Sequence, residues 1–139
     1  MQLVQRGRPS MITFKLPFDS PPLRSNKRLH HMAEHRIKRD IRQAGFIAGK
    51  RYLASHNVGL IEWPVHIRMV WSVPTKHRRD ADSGQPTLKS WIDGIVSAGL
   101  LSDDNWQCVP RAWCEIEHHP GEPMSVRVEI EPIERTTTT

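Results

Sequence analysis

Asp80 and Asp82 are two residues apart, and a second acidic pair, Asp103-Asp104, follows further along the chain. In an extended segment the first two carboxylates would point to one side, about 7 Å apart. Oxygen-only ligands of this kind suit Mg²⁺ or Mn²⁺, whereas zinc prefers Cys and His. Carboxylates that converge would form a divalent-cation site; acidic pairs also occur as ordinary turns and helix caps, and the spacing alone leaves both readings open. A basic stretch, Lys76-His77-Arg78-Arg79, leads directly into the first pair.

The elements around these residues define how they could be positioned. Ile12, Phe14 and Leu16 alternate with Thr13 and Lys15, a strand pattern stopped by Pro17. Ser20-Pro21-Pro22-Leu23 must be a loop, because consecutive prolines fit neither a helix interior nor a central strand. From Asn26 to Tyr52 the pattern is helical, with Leu29, Ala33, Ile37, Ile41, Ala44 and Ala48 on one stripe. Arg28, Arg39, Arg42 and Lys50 project from the opposite side, and Gly45 and Gly49 weaken the later half.

Val65, Ile67, Met69 and Trp71 give a second strand closed by Pro74. A second amphipathic helix opens after Pro86 and carries Leu88, Trp91, Ile92, Ile95 and Val96 to Gly99. About twelve helical residues span ~18 Å, so Asp103-Asp104 can meet the first pair only if a turn brings the chain back. The last part reads as a hairpin, from Val109 to Glu117 and from Ser125 to Glu131, around a turn at 118–123. The order is β-α-β-α-β-β: an α/β single domain, its mixed sheet covered by two helices. Residues 1–10 read as an irregular extension, 11–133 as the domain and 134–139 as a disordered tail.

The chain has 139 residues and a formal charge of +5. Arg24 to Arg51 holds nine basic residues against two acidic, and the rest is slightly acidic, so the excess charge sits in one early segment. Such a basic face points to a polyanion, nucleic acid before an anionic membrane surface. No apolar run reaches the ~18 residues of a membrane span, and nothing marks export, so a cytoplasmic location is expected. Cys108 and Cys114 are too few for a disulfide framework.

The run from Lys76 to Asp82, the helix segment Leu88-Lys89 with Ile92-Asp93-Gly94, and Ala98-Gly99-Leu100-Leu101 closing on Asp103-Asp104 resemble the RusA family of Holliday junction resolvases. Leu16-Pro17-Phe18 with Pro21-Pro22 and Asn26 is similar to the family's opening, and Arg127-Val128-Glu129-Ile130 to its last strand. The resemblance covers most of residues 11–133 and implies a RusA-like fold. It also implies a homodimeric, Mg²⁺- or Mn²⁺-dependent endonuclease that nicks four-way DNA junctions symmetrically, with no small-molecule cofactor. By position it implies that Asp80, Asp82 and Asp104 hold the metal and act in catalysis, with Lys89 as the catalytic lysine and Asp93 either in support or in a plain helix-face ion pair. Arg28, Arg39, Arg42, Lys76, Arg78 and Arg79 are the expected DNA contacts. Ser83 departs from the family's usual Asn, and Gly84 stands where an apolar residue is expected. A non-catalytic DNA-binding protein of the same fold is therefore the alternative.

Other signals are weaker. His31 and His35 have the i, i+4 spacing of zinc ligands, but no Cys or Glu-His partner completes a motif. His77 could touch phosphate, and His118-His119 read as exposed turn residues. Of the five tryptophans, Trp106 is the candidate for base stacking and the others read as core. No P-loop, dinucleotide fingerprint or nucleophile elbow occurs. A protein-interaction module whose charge serves only solubility is a third reading.

Overall fold

The computed structural model describes residues 9–134. The expected N-terminal extension, except Pro9 and Ser10, and the expected tail, except Glu134, lie outside the described residues. The elements are β1 (Ile12–Lys15), α1 (His31–His56), β2 (Val65–Val73), a short 3-10 turn (Ala81–Gly84), α2 (Gln85–Ala98), β3 (Arg111–His118) and β4 (Ser125–Pro132). The order matches the expected β-α-β-α-β-β.

The strand pairing does not. The sheet runs β1-β4-β2-β3, with β4 antiparallel to both β1 and β2, and β3 parallel to β2. The expected hairpin between the last two strands is therefore absent; they flank β2 on opposite sides. Burial explains the choice. Val126, Val128 and Ile130 are fully buried and belong in the middle of the sheet, whereas β3 is only half-buried and takes the edge. The connection crosses the end of β2, where the His119 N–H donates to the Val73 carbonyl at 2.8 Å.

Alternation sorts the sheet into two faces. Ile67, Met69 and Trp71 align with Ile130, Val128 and Val126 on one side and with Ala112, Cys114 and Ile116 on the other. Both helices cover this face: the Phe14 ring meets Tyr52 of α1 at 5.8 Å and Trp91 of α2 at 5.2 Å, each edge to face. The other face carries Arg68, Arg127, Glu115, Glu117 and Glu129, so the two helices make one layer rather than two.

Helix α1 starts five residues later than the apolar stripe implies. His30 takes the N-cap position in extended conformation, and its Nδ1 accepts from the Met32 N–H at 3.2 Å. Arg28 and Leu29 thus belong to the preceding loop, and the helix continues past Tyr52 to an Asn57 cap in the left-handed region. Its glycines are contact residues. A Cβ on Gly94 of α2 would collide with the Arg42 carbonyl, and one on Gly45 with the Trp91 carbonyl, so the two backbones touch directly there. The helix-forming cost of Gly45 is offset by that approach.

Candidate functional site

The loop between β2 and α2 carries the first acidic pair and is built by residues of otherwise ordinary type. Asp80 occupies the N-cap position of the 3-10 turn in extended conformation, and Asp82 lies within the turn. The expected extended D-x-D segment is thus corrected to a tight turn. Ser83 accounts for it: its hydroxyl donates to the Asp80 carbonyl at 2.6 Å, and its N–H donates to the same oxygen at 3.1 Å. The Ser83 carbonyl accepts from the Ser25 N–H at 2.9 Å. Gly84 is buried against Met69, Cys114 and Pro21. Gln85 donates from its side chain to the Ala112 carbonyl on the edge strand β3, and Thr87 Oγ1 bonds both the N–H and the carbonyl of Leu23. Ser83, Gly84, Gln85 and Thr87 are the struts that hold this loop.

The carboxylates of Asp80 and Asp82 form no hydrogen bond or ion pair with any described residue. Asp82 does exert a field: burial, and secondarily its negative charge, push the Cys114 thiol up to about 12. Cys114 and Cys108 are both free.

Asp104 and Lys89 meet although they are fifteen positions apart. Lys89 Nζ donates to Asp104 Oδ2 and, at 3.2 Å, to Asp93 Oδ1, an ion pair with each. The chain after Gly99 does fold back along α2: Leu100 and Leu101 are buried, and Leu101 bridges to Ile61. Asp103 completes the arrangement, because its Oδ1 accepts from the Asp104 N–H at 2.7 Å and its Oδ2 from Asn105 at 3.1 Å. The Lys89 hydrogen bond holds the Asp104 carboxyl below the usual carboxylate range, against its partial burial, and the Asp104 hydrogen bond in turn raises the Lys89 ammonium. Both stay charged at neutral pH.

Lys89, Asp93 and Asp104 are thus brought together, whereas Asp80 and Asp82 stand apart from them. Among the described residues no group of three or more His, Cys, Asp and Glu side chains is set to hold a metal ion. The donor chemistry nevertheless suits a hard cation at Asp80 and Asp82, which offer unengaged carboxylate oxygens; Mg²⁺ is commonly held by one or two carboxylates and keeps several waters. Asp104 is compensated by Lys89.

The expected DNA contacts divide. Arg28, Arg39 and Arg42 are exposed, with Arg39 Nε 3.9 Å from Asp40; Lys76 and Arg78 are exposed in the loop. Arg79, partly buried, also braces the loop. It donates to the Thr75 and His77 carbonyls and to Thr75 Oγ1, and its guanidinium lies 5.4 Å from the Trp71 ring centre. Arg24 lies 5.7 Å from the same ring. The buried Trp71 therefore carries two guanidinium groups beside the acidic loop, a contact that sequence alone could not show, since residues 24, 71 and 79 share no pattern.

A cavity of about 470 Å³ is lined by Ile61, Trp63, Pro64, Leu101, Trp106 and Ile133 among others, and by none of Asp80, Asp82, Lys89 or Asp104. Trp106 is 77% exposed on its rim, while Trp71 and Trp91 are core. No protein-family model matches the chain, and no curated protein matches it. No helix among the described residues is long and apolar enough to cross a membrane.

Proposed function

We propose that this chain is a cytoplasmic, Mg²⁺- or Mn²⁺-dependent endodeoxyribonuclease of the RusA type, acting as a homodimer. It resolves four-way junctions in DNA recombination and repair by symmetric phosphodiester hydrolysis. The observation that carries the reading is the loop leaving the carboxyl end of β2. It presents two carboxylates with no internal partner, held by a dedicated set of struts and preceded by a run of cations. In open α/β sheets the carboxyl ends of parallel strands are where ligands bind. The mixed α/β fold is compatible with the same reading.

Asp80 and Asp82 would hold the divalent cation, which would supply Lewis acidity toward a phosphoryl oxygen and a lowered pKa of bound water. The chain itself does the rest. Asp80 and Asp82 offer hard oxygen donors on a turn that Ser83 and Gln85 keep from moving. Lys89 provides a fixed positive charge, oriented by Asp93 and Asp104, of the kind that stabilises developing negative charge. Exposed arginines on and before α1 supply sequence-independent phosphate contacts. A two-fold dimer matches a substrate with two symmetric strands to cut.

A second reading, a DNA-binding protein of this fold without cleavage, draws on the same ion pair. Lys89 already compensates Asp104, which leaves two carboxylates rather than three for a cation. A synthetic four-way junction incubated with and without Mg²⁺ or Mn²⁺ decides between them. Paired symmetric nicks only with metal support the nuclease; binding without nicking supports the second reading; neither binding nor nicking rejects both.

A further inference from the structure

A second groove, about 310 Å³, opens where β2 and β3 end side by side. Val73 and Ile116 form its floor, and Thr75, Lys76, His77, Arg79 and His118 its polar lining, with Ala81 at one margin. Three features single it out. Its charged and titratable lining is entirely Lys, Arg and His, whereas the apolar cavity and the small one on the opposite sheet face each contain two glutamates. Its donors come from two separate places, the loop after β2 and the last residue of β3, which parallel pairing sets opposite Val73. Arg79 spends three of its five N–H donors on Thr75 and His77, which fixes the guanidinium and leaves two without an acceptor among the described residues.

We propose that this groove is a phosphate subsite. In it Lys76, His77, Arg79 and His118 hold a backbone phosphate of the DNA strand, next to the one presented to Asp80 and Asp82. Ala81 borders the groove and lies between those two aspartates in the chain, so a strand seated in it lies against the acidic loop. Carboxylates repel a phosphodiester, and the clustering of donors on one side of the aspartates gives the strand a direction across them. His118 is the member that no reading of the basic run includes. The inference rests on the nuclease reading for the identity of the phosphate, while the groove's donor chemistry stands apart from it.

The test uses the full-length chain, the single variants His118→Gln and Lys76→Gln, and the double variant. Binding of a fluorescent four-way junction is measured in EDTA, where nothing is cut, across a salt series, with thermal melts to verify folding. A phosphate contact contributes about 0.9 to the slope of log affinity against log salt. The double variant is expected to fold as wild type, to lose about one to two in that slope and to bind about 10-fold more weakly. In parallel, inorganic phosphate is titrated while the ring resonances of His77 and His118 are followed by NMR. Wild-type slopes in the folded double variant, with junction binding intact, overturn the subsite and leave the nuclease reading standing. Phosphate-dependent shifts of both histidines in a chain that binds no junction keep the subsite and overturn that reading. No shift and no junction binding overturn both.

Discussion

The outer face of the sheet and the loop between β2 and α2 are equally rich in charge, and they treat it in opposite ways. On the sheet, Arg68 of β2 bonds Glu115 of β3 and Glu129 of β4, while Arg127 bonds Glu129 and Glu117, and Glu117 also meets His119. Each of these charges has a partner of opposite sign within the network, on its own strand or across the sheet. The network takes the place of a second helical layer: Val70, on that same face, is fully buried beneath it. On the loop, Asp80, Asp82, Lys76 and Arg78 have no such partner. A charge that the fold satisfies is spent on the fold; one that the fold positions but leaves unpaired is available to a ligand. The contrast is the reason the proposed function is placed on the loop and not on the sheet face.

The sharpest way to break the comparison is to neutralise an unpaired charge. Asp82→Asn or Asp80→Asn is expected to reduce junction nicking about 100-fold or more, given the several kcal/mol that a bound metal contributes to such reactions. Junction binding and melting temperature should hold, because neither carboxylate has an internal partner to lose. Wild-type cleavage in Asp82→Asn would remove the loop from the chemistry.

A paired charge should behave in reverse. Glu129→Ala leaves Arg68 and Arg127 facing each other across a mostly buried site, and the loss of charged hydrogen bonds there costs about 2 kcal/mol. Urea denaturation reads that loss, and junction affinity should not move. An equal loss of binding would place the sheet face on the DNA path.

Arg28→Gln, Arg39→Gln and Arg42→Gln combined test the basic segment. Three lost phosphate contacts reduce the salt slope by about 2 to 3, with little change in stability because these side chains are exposed. An unchanged slope rejects this face.

Acid gives the smallest effect. The His119 and Arg127 hydrogen bonds hold Glu117 below its ordinary range. Burial pushes Glu129 upward, but the Arg68 and Arg127 bonds outweigh it and hold it low as well. A carboxylate depressed in the folded state stabilises above its unfolded pKa and loses that contribution as pH falls through its folded value. The melting temperature should therefore be flat near neutrality and decline below about pH 4, the range of unfolded carboxyls. The decline should be shallower in Glu129→Gln. An equal decline in that variant would show that the sheet network carries none of it.

Period and punctuation made the elements legible. The alternation of Ile12, Phe14 and Leu16, the apolar run from Val65 to Val73, and Pro17, Pro74, Pro86 and Gly99 determine local backbone geometry, which neighbouring residues dictate. Strand order was not legible: Val109–Glu117 and Ser125–Glu131, joined by a short turn, read as a hairpin. Which strand takes the centre depends on the burial of Val126, Val128 and Ile130 against residues far away in the chain. The acidic pair, the basic run and Lys89 were legible as residue types, while their spacing alone left a metal site and an ordinary acidic turn both open.

What only the tertiary structure decided is which of these charges remain free. Arg68 and Glu129 are 61 positions apart, Arg24 and Trp71 nearly as remote, and His118 joins Lys76 only because β3 lies parallel to β2. A sequence determines what each residue can donate or accept. Whether that capacity is consumed by the fold or left for a ligand depends on through-space distance, which the linear order of residues does not contain.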